Sequence, residues 1–211
     1  MVKKTSNAMP EAQVERREPA QARSREMIRS IIEAAQRVLR REGWSGFTTN
    51  RVAKTAGVSV GSLYQYFANK DDLAIALIDN RYGKLQKQFA CELEKALLAK
   101  SPDAISILVH TFIEALDADG GLYFKMKEEL SGAAKERLAK VLDDVIQLIE
   151  SLFAANKEVL GPNLTWATAF VLAGTVEGTL AAAYRRKMPR VERQLIQKEL
   201  TSLITFYLQG R

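Results

Sequence analysis

The stretch at 48–70 reads TTNRVAKTAGVSVGSLYQYFANK, with Ala56-Gly57-Val58 between two short amphipathic runs. No other feature narrows the fold as much. Ala56 is small enough for two helices to approach closely, and Gly57 can take the positive φ that a tight turn between them needs. Val52, Ala53, Val58, Leu63 and Phe67 then form one inward face, supported by a preceding helix. This is the plan of a helix-turn-helix, two short helices meeting at a tight turn.

The caps agree with that reading. Thr48 predicts the start of a helix over about 49–55, Ser59 of one over about 60–66, and Asn69 of a long one from Lys70 into the 90s. Asp71 and Asp72 stand in its first turn, where the helix dipole favours acids. Ahead of the motif, Ile28, Ile31, Ile32, Ala35, Val38 and Leu39 recur at spacings of three and four. They predict a helix over 23–41, closed by Gly43, with Trp44 and Phe47 plugging the small core. Residues 1–22 carry Pro10, Pro19 and mixed charge without an apolar period, and read as a disordered tail.

Beyond the motif no segment alternates as a strand would, so the fold class is all-α. Ser101-Pro102-Asp103 starts a helix running to about Asp117. Asp119-Gly120-Gly121 and Ser131-Gly132 separate helices over 122–130 and 133–157, Gly161-Pro162-Asn163 opens one ending near Arg186, and Met188-Pro189 precedes the last, 190–208. The sum is about nine helices. Residues 23–69 form a three-helix helix-turn-helix domain and 70–211 a larger helical domain for ligand binding and dimerisation.

Charge divides along the same line. Residues 1–70 hold 13 Lys/Arg against 6 Asp/Glu, a net of +7, whereas 71–211 hold 18 against 19, a net of −1. Such asymmetry points one end of the molecule at a polyanion. One cysteine, Cys91, and one histidine, His110, leave no disulfide, metal cluster or Ser-His-Asp triad to expect. No acid/base pair or phosphate loop is evident, so the chain does not read as an enzyme, and no cofactor is expected. No apolar run reaches the roughly 18–20 residues of a membrane span and no apolar segment follows Lys3 and Lys4. The chain therefore reads as cytoplasmic, with no membrane partner.

The residues left outside the small core carry the candidate chemistry. Gly61 is a poor helix former, and suits a backbone that must come close to something bulky. Tyr64 and Tyr66 offer hydroxyls to phosphate oxygens. The competing reading of both is packing within the small domain. Lys70, in a first helical turn disfavoured by the dipole, invites a phosphate at that N-terminus.

Thr48, Ala53, Ala56-Gly57-Val58-Ser59, Gly61, Leu63-Tyr64, Tyr66-Phe67, Lys70 and Leu73 together resemble the DNA-binding domain of the TetR (tetracycline-repressor-like) family of bacterial regulators. The resemblance covers 25–75 by motif, and the remainder by length and helical layout. It implies a homodimer on a palindromic double-stranded DNA operator, released by a small molecule held in the C-terminal domain. Carried over position by position, Thr49, Asn50, Val60, Gly61, Ser62, Tyr64, Tyr66 and Lys70 fall where relatives touch DNA. Thr48, Arg51, Ser59 and Gln65 complete the candidate set. Asn50 and Ser62 suit base edges, Arg51 either a guanine or a phosphate, and Arg16, Arg17, Arg23 and Arg25 phosphates or the minor groove, with plain solvation the competing reading of these four.

The last two helices are apolar over more than one face, and the resemblance implies that they pair with their copies. Val171, Gly174, Gly178, Ala182, Leu195, Leu203 and Phe206 are the candidate dimer contacts. His110, Glu114, Phe124, Met126, Phe153, Trp166, Phe170 and Glu177 are the candidate effector contacts, and their chemistry suggests an apolar or aromatic small molecule. For each, ordinary core packing is the competing reading. A DNA-binding repressor is the expected function. An activator of the same fold and an adaptor that no longer reads DNA are the alternatives.

Overall fold

The structure, a computed structural model, describes residues 12–98, 103–160 and 164–210. Among them every regular element is a helix, nine in all: α1 (Ala12–Gly46), α2 (Thr49–Ala56), α3 (Val60–Tyr64), α4 (Lys70–Leu98), α5 (Ala104–Glu129), α6 (Gly132–Ala155), α7 (Lys157–Leu160), α8 (Trp166–Arg185) and α9 (Arg190–Gln209). The all-α expectation and the total of nine agree with this, but the division differs in places.

The first difference is at the N-terminus. Residues 12–22, expected as tail, continue α1. That stretch is mostly Ala, Gln, Glu and Arg, residues of high helix propensity. The rest of the expected tail lies outside the described residues, as do Ser101-Pro102 and Gly161-Pro162-Asn163. Gly43 interrupts α1 with φ 68° and ψ −174°, so regular helix stops where the glycine was expected to stop it.

The second difference is in α5. Residues 104–117 and 122–130, expected as two helices, belong to one element, in which Gly120 (φ 66°) and Gly121 (φ 78°) adopt left-handed backbone. The glycines bend the helix without ending it. A side chain at 121 would also meet the Tyr184 ring, whose carbons stand 2.2–2.7 Å from the position of a β-carbon. Tyr184 donates to Asp117, which also accepts from Arg193 Nε at 3.1 Å, so α5, α8 and α9 are tied at that bend. Burial and the Asp117 carboxylate push the Tyr184 phenol above its ordinary range. The third difference is the split of the expected 133–157 helix, where Asn156 leaves helical geometry and the short α7 follows.

The core is continuous. Ile31, Ala35, Val38 and Leu39 of α1 meet Val52, Ala53, Leu63 and Phe67. The core then runs up α4 through Leu73, Leu77 and Phe89 to the interior of α5, α6, α8 and α9. Arg137 of α6 clamps α4, reaching Asp79 at 2.7 Å and Asp144 of its own helix at 2.9 Å.

One sequence expectation is corrected. α8 is long and apolar enough, by length and composition, to cross a membrane. Its inner face is nevertheless packed, with Ala169, Ala173, Val176, Leu180 and Ala183 buried. Its one acid, Glu177, is buried and accepts from Tyr123 at 2.6 Å and from Lys127.

Candidate nucleic-acid interface

The turn is built as its residues require. Thr48 Oγ1 accepts from Arg51 N–H at 3.2 Å, capping α2. Gly57 takes φ 73° and ψ 26°, left-handed, and Val58 N–H closes back on the Ala53 carbonyl at 3.0 Å. Ser59 then caps α3, accepting from Ser62 N–H at 2.9 Å. Asn69 Oδ1 accepts from Asp72 N–H, and Asp72 Oδ2 accepts from Ala68 N–H one residue before the cap, two bonds that fix the start of α4.

These caps set which side chains face outward. Val52, Ala53 and Leu63 are fully buried and Phe67 nearly so, which turns Thr48, Asn50, Arg51, Ser59, Val60, Gly61, Tyr64 and Gln65 to the surface. Thr49, Ser62, Tyr66 and Lys70 are half-buried. Tyr64 is 50% exposed and its hydroxyl lies 3.1 Å from Thr49 Oγ1, linking the two short helices. Tyr66 packs partly against the core. A β-carbon added at Gly61 would meet only Ser59 Oγ, at 3.9 Å, and the φ is not left-handed. Nothing among the described residues demands glycine there. Arg23 and Arg25 are exposed on α1.

Two side chains have partners that the sequence did not reveal. Arg51 Nε donates to Glu42 at 2.8 Å, and Glu42 also holds Arg41. The Arg51 hydrogen bond, and after it that of Arg41, holds the Glu42 carboxyl below its usual range. Lys70 is engaged too. Its ammonium donates to the Trp44 carbonyl at 2.9 Å and lies 3.7 Å from the centre of the Trp44 ring, so it has a role within the chain beside the phosphate contact expected of it. Lys70→Met is therefore expected to cost about 1–3 kcal/mol of stability. Loss of a lysine held on Trp44 alone leaves the salt dependence of any DNA binding unchanged, whereas loss of a phosphate contact lowers the slope by about 1. Thermal melting and a salt titration read the two effects separately.

Trp44 is the centre of a junction with the larger domain. Its backbone N–H donates to Glu129 Oε2 at 2.6 Å, and its indole N–H to Ser131 Oγ at 3.2 Å. Gly132 leaves room for Asp71 beside it. The end of α5 and the start of α6 thus grip the connector below α1, and Lys70 brings in the start of α4.

The candidate effector residues scatter. Met126 and Glu177 line a cavity of about 220 Å³ among α4, α5, α6 and α8, and Phe153 lines a second of about 50 Å³. Phe124 is buried on Tyr184 and lines neither. His110 and Glu114 lie on a surface groove, more than half exposed. Trp166 (60% exposed) and Phe170 (45%) stack on each other outside α8, centroids 5.2 Å apart. They stand one helical turn apart in the row continued by Gly174 and Gly178, both candidate dimer contacts with open space above them. That spacing was a signal in the sequence. Of the other dimer candidates, Val171, Leu195, Leu203 and Phe206 are exposed and Ala182 is half-buried.

Comparison with known proteins follows the same division of the chain. Residues 31–77 match the family described as bacterial regulatory proteins, tetR family. Residues 102–208 match that described as tetracyclin repressor-like, C-terminal domain. The fatty acid metabolism regulator protein of Bacillus subtilis (strain 168) is 24% identical over 123 residues, 58% of this chain and 63% of that protein. In sequence, then, the chain spans less than two thirds of that relative. The fatty acid degradation regulator FadR from Bacillus halodurans shares the fold with a TM-score of 0.67 at 23% identity, over 86% of this chain and 98% of its own. FadR from Bacillus subtilis, solved with stearoyl-CoA, gives 0.65 at 19% identity, over 83% and 96%.

Proposed function

Because the chain belongs to the tetR family of bacterial regulatory proteins, whose members are transcriptional regulators and not enzymes, we propose that it is a sequence-specific DNA-binding repressor. In this reading a homodimer sits on a palindromic operator and is released by a small apolar or aromatic effector, in the cytoplasm. Residues 23–69 bind the DNA, and 70–211 bind the effector and the second copy. The observation that carries it is the outer face of α3: Val60, Gly61 and Tyr64 are exposed on a short helix, with Gln65 just past its end, and among the described residues a β-carbon at the glycine would meet only Ser59 Oγ, in ordinary contact. A backbone bare at that point lets α3 enter a major groove by its N-terminal end. Ser62 and Asn50 read base edges, while Thr48, Thr49, Ser59, Tyr64 and Tyr66 serve the phosphates. Arg51 joins them on leaving Glu42.

Release needs a link between cavity and DNA. Helix α4 supplies one, since Ile78, Tyr82 and Leu85 line the larger cavity and Lys70, at its start, holds Trp44. Glu129 and Ser131 hold Trp44 from the other side. An effector that favours a different packing of α4 against α5 and α6 shifts the population of dimers away from operator spacing, by no more than its difference in affinity for the two states. The similarity to regulators described by fatty-acid metabolism, and to one solved with stearoyl-CoA, supports an apolar effector.

A gel shift with the DNA flanking the protein's own gene tests the reading. Binding is expected, weakening steeply with salt because phosphate contacts release counterions. Failure to bind any fragment at low salt favours an adaptor role and overturns the proposal.

A further inference from the structure

We propose that Gln36 of α1 is a contact of the effector, so that a ligand in the larger cavity touches the DNA-binding domain itself and displaces α1 directly. The inference rests on the effector reading above and deepens it, since the route through α4 needs no such contact.

The larger cavity, about 220 Å³, is walled mainly by α4, α5 and α6, with Glu177 from α8. Gln36 lines it as well. Among the described residues in that wall, it is the one contributed by 23–69. Gln36 is half-buried, whereas Ala35, Val38 and Leu39 beside it are buried in the core of the small domain. Helix α1 therefore serves both domains. One face carries α2 and α3, through Val52, Ala53 and Leu63, and another closes the cavity.

The next turns of α1 are pinned to the second half of α5. Lys125 Nζ donates to the Arg40 carbonyl at 3.4 Å, and Glu129 Oε2 accepts from Trp44 N–H at 2.6 Å. Gln36 stands one turn before Arg40, about 6 Å along the axis. On α5, Tyr123 and Met126 of the cavity wall belong to the same short stretch as Lys125 and Glu129. A ligand between these walls thus bears on α1 at Gln36, while α5 holds α1 four and eight residues further on. Gln36 has a partner of its own within the chain, so turning its side chain away breaks that interaction. Packed interiors yield by moving elements, not by compression. The expected response is a tilt of α1 about its anchors at Arg40 and Trp44, and α2 and α3, packed on α1, tilt with it.

Titration of the full-length protein with N-phenyl-1-naphthylamine, a neutral apolar dye that fluoresces on leaving water, tests this. The readout is the ratio of Kd values for the DNA flanking the protein's own gene, with the dye at saturation and without it. In the wild type that ratio should reach at least about fivefold, and in Gln36→Ala, which withdraws the side chain from the wall, it should fall below about twofold. Gln36→Met has the same length but donates no hydrogen bond. It should restore the wild-type ratio, as contact by bulk requires and loss of a structural hydrogen bond would not. A second measurement reads the contact itself. Cys91 is exposed, so Gln36→Cys is made together with Cys91→Ser. With the dye at about ten times its Kd, the new thiol should react with N-ethylmaleimide about tenfold more slowly. The thiol of Arg37→Cys, at an exposed position, should react at an unchanged rate. Equal Kd ratios in wild type and Gln36→Ala overturn the proposal and leave the effector reading standing, and so does an unprotected thiol at 36. A dye that fails to bind the wild type, or binds without changing its affinity for DNA, removes the effector reading as well.

Discussion

Gly61→Leu should give a folded protein that has lost about a hundredfold in operator affinity. The argument rests on the difference between what α3 needs and what its surroundings need. Within the chain a β-carbon at 61 touches only Ser59 Oγ, at 3.9 Å, and the backbone is not left-handed. A residue other than glycine is therefore compatible with α3, and should raise its helical stability by roughly 0.5–1 kcal/mol. On DNA the same side chain stands between the helix backbone and the groove floor. Lifting α3 removes the base contacts of Ser62 and Asn50 together, each worth about 1–3 kcal/mol. Melting temperature and gel shift thus move in opposite directions. A variant that melts higher and still binds the operator at wild-type strength would mean that α3 does not enter the groove.

How much of this was legible depended on the range of the interactions involved. Gly57, Thr48, Ser59 and Asn69 act on residues within five positions of themselves, so the turn and the starts of α2, α3 and α4 could be read directly. Lys70 could not, because its partner, Trp44, lies 26 residues away. The dipole argument assigned the lysine a phosphate, whereas the contact visible within the chain is a carbonyl of the connector. Gly120 and Gly121 were legible as a disturbance. Whether they end a helix or bend it is decided by the Tyr184 ring from α8, which the local sequence does not contain.

The cavity was the least legible part, for a reason visible in α5. Two stripes run along it at spacings of three to four. Leu108, Phe112 and Leu116 form one, and His110 and Glu114 the other. Chemistry drew attention to the histidine and its acid, but they face solvent. The inward stripe is the ordinary hydrocarbon one, and its residues line the cavities. In a binding site built for an apolar ligand, the lining looks like core.

The second large effect concerns the face that this chain leaves bare. Leu203→Asp combined with Phe206→Asp should convert a dimer to a folded monomer in sedimentation velocity. Operator affinity should fall by at least about a hundredfold. Val171, Leu195 and Leu203 are each 61% exposed and Phe206 79%, with Trp166 and Phe170 extending the surface along α8. Single exposed apolar residues are common, but a contiguous set across two helices marks an interaction surface. Gly174 and Gly178 leave open space in its middle, which lets a second helix come close. The substituted residues contribute little to the chain's own core, so the fold should melt within about 0.5 kcal/mol of wild type. At a dimer centre the same aspartates would lose two apolar anchors on each side and place like charges together, an effect of about 2–4 kcal/mol or more. Operator binding follows from geometry. A dimer holds two α3 helices at about 34–36 Å, one turn of DNA, so the second half-site binds at a high effective concentration that a monomer forfeits, a factor of about 10² to 10⁴. In the proposed dimer the same covering would account for an α8 apolar enough to span a membrane: its inner face packs on α5, α6 and α9, and its outer face, from Trp166 to Gly178, would meet the second copy. A double variant that remains dimeric would show that the copies meet elsewhere, and the outer face of α8 would then need another partner.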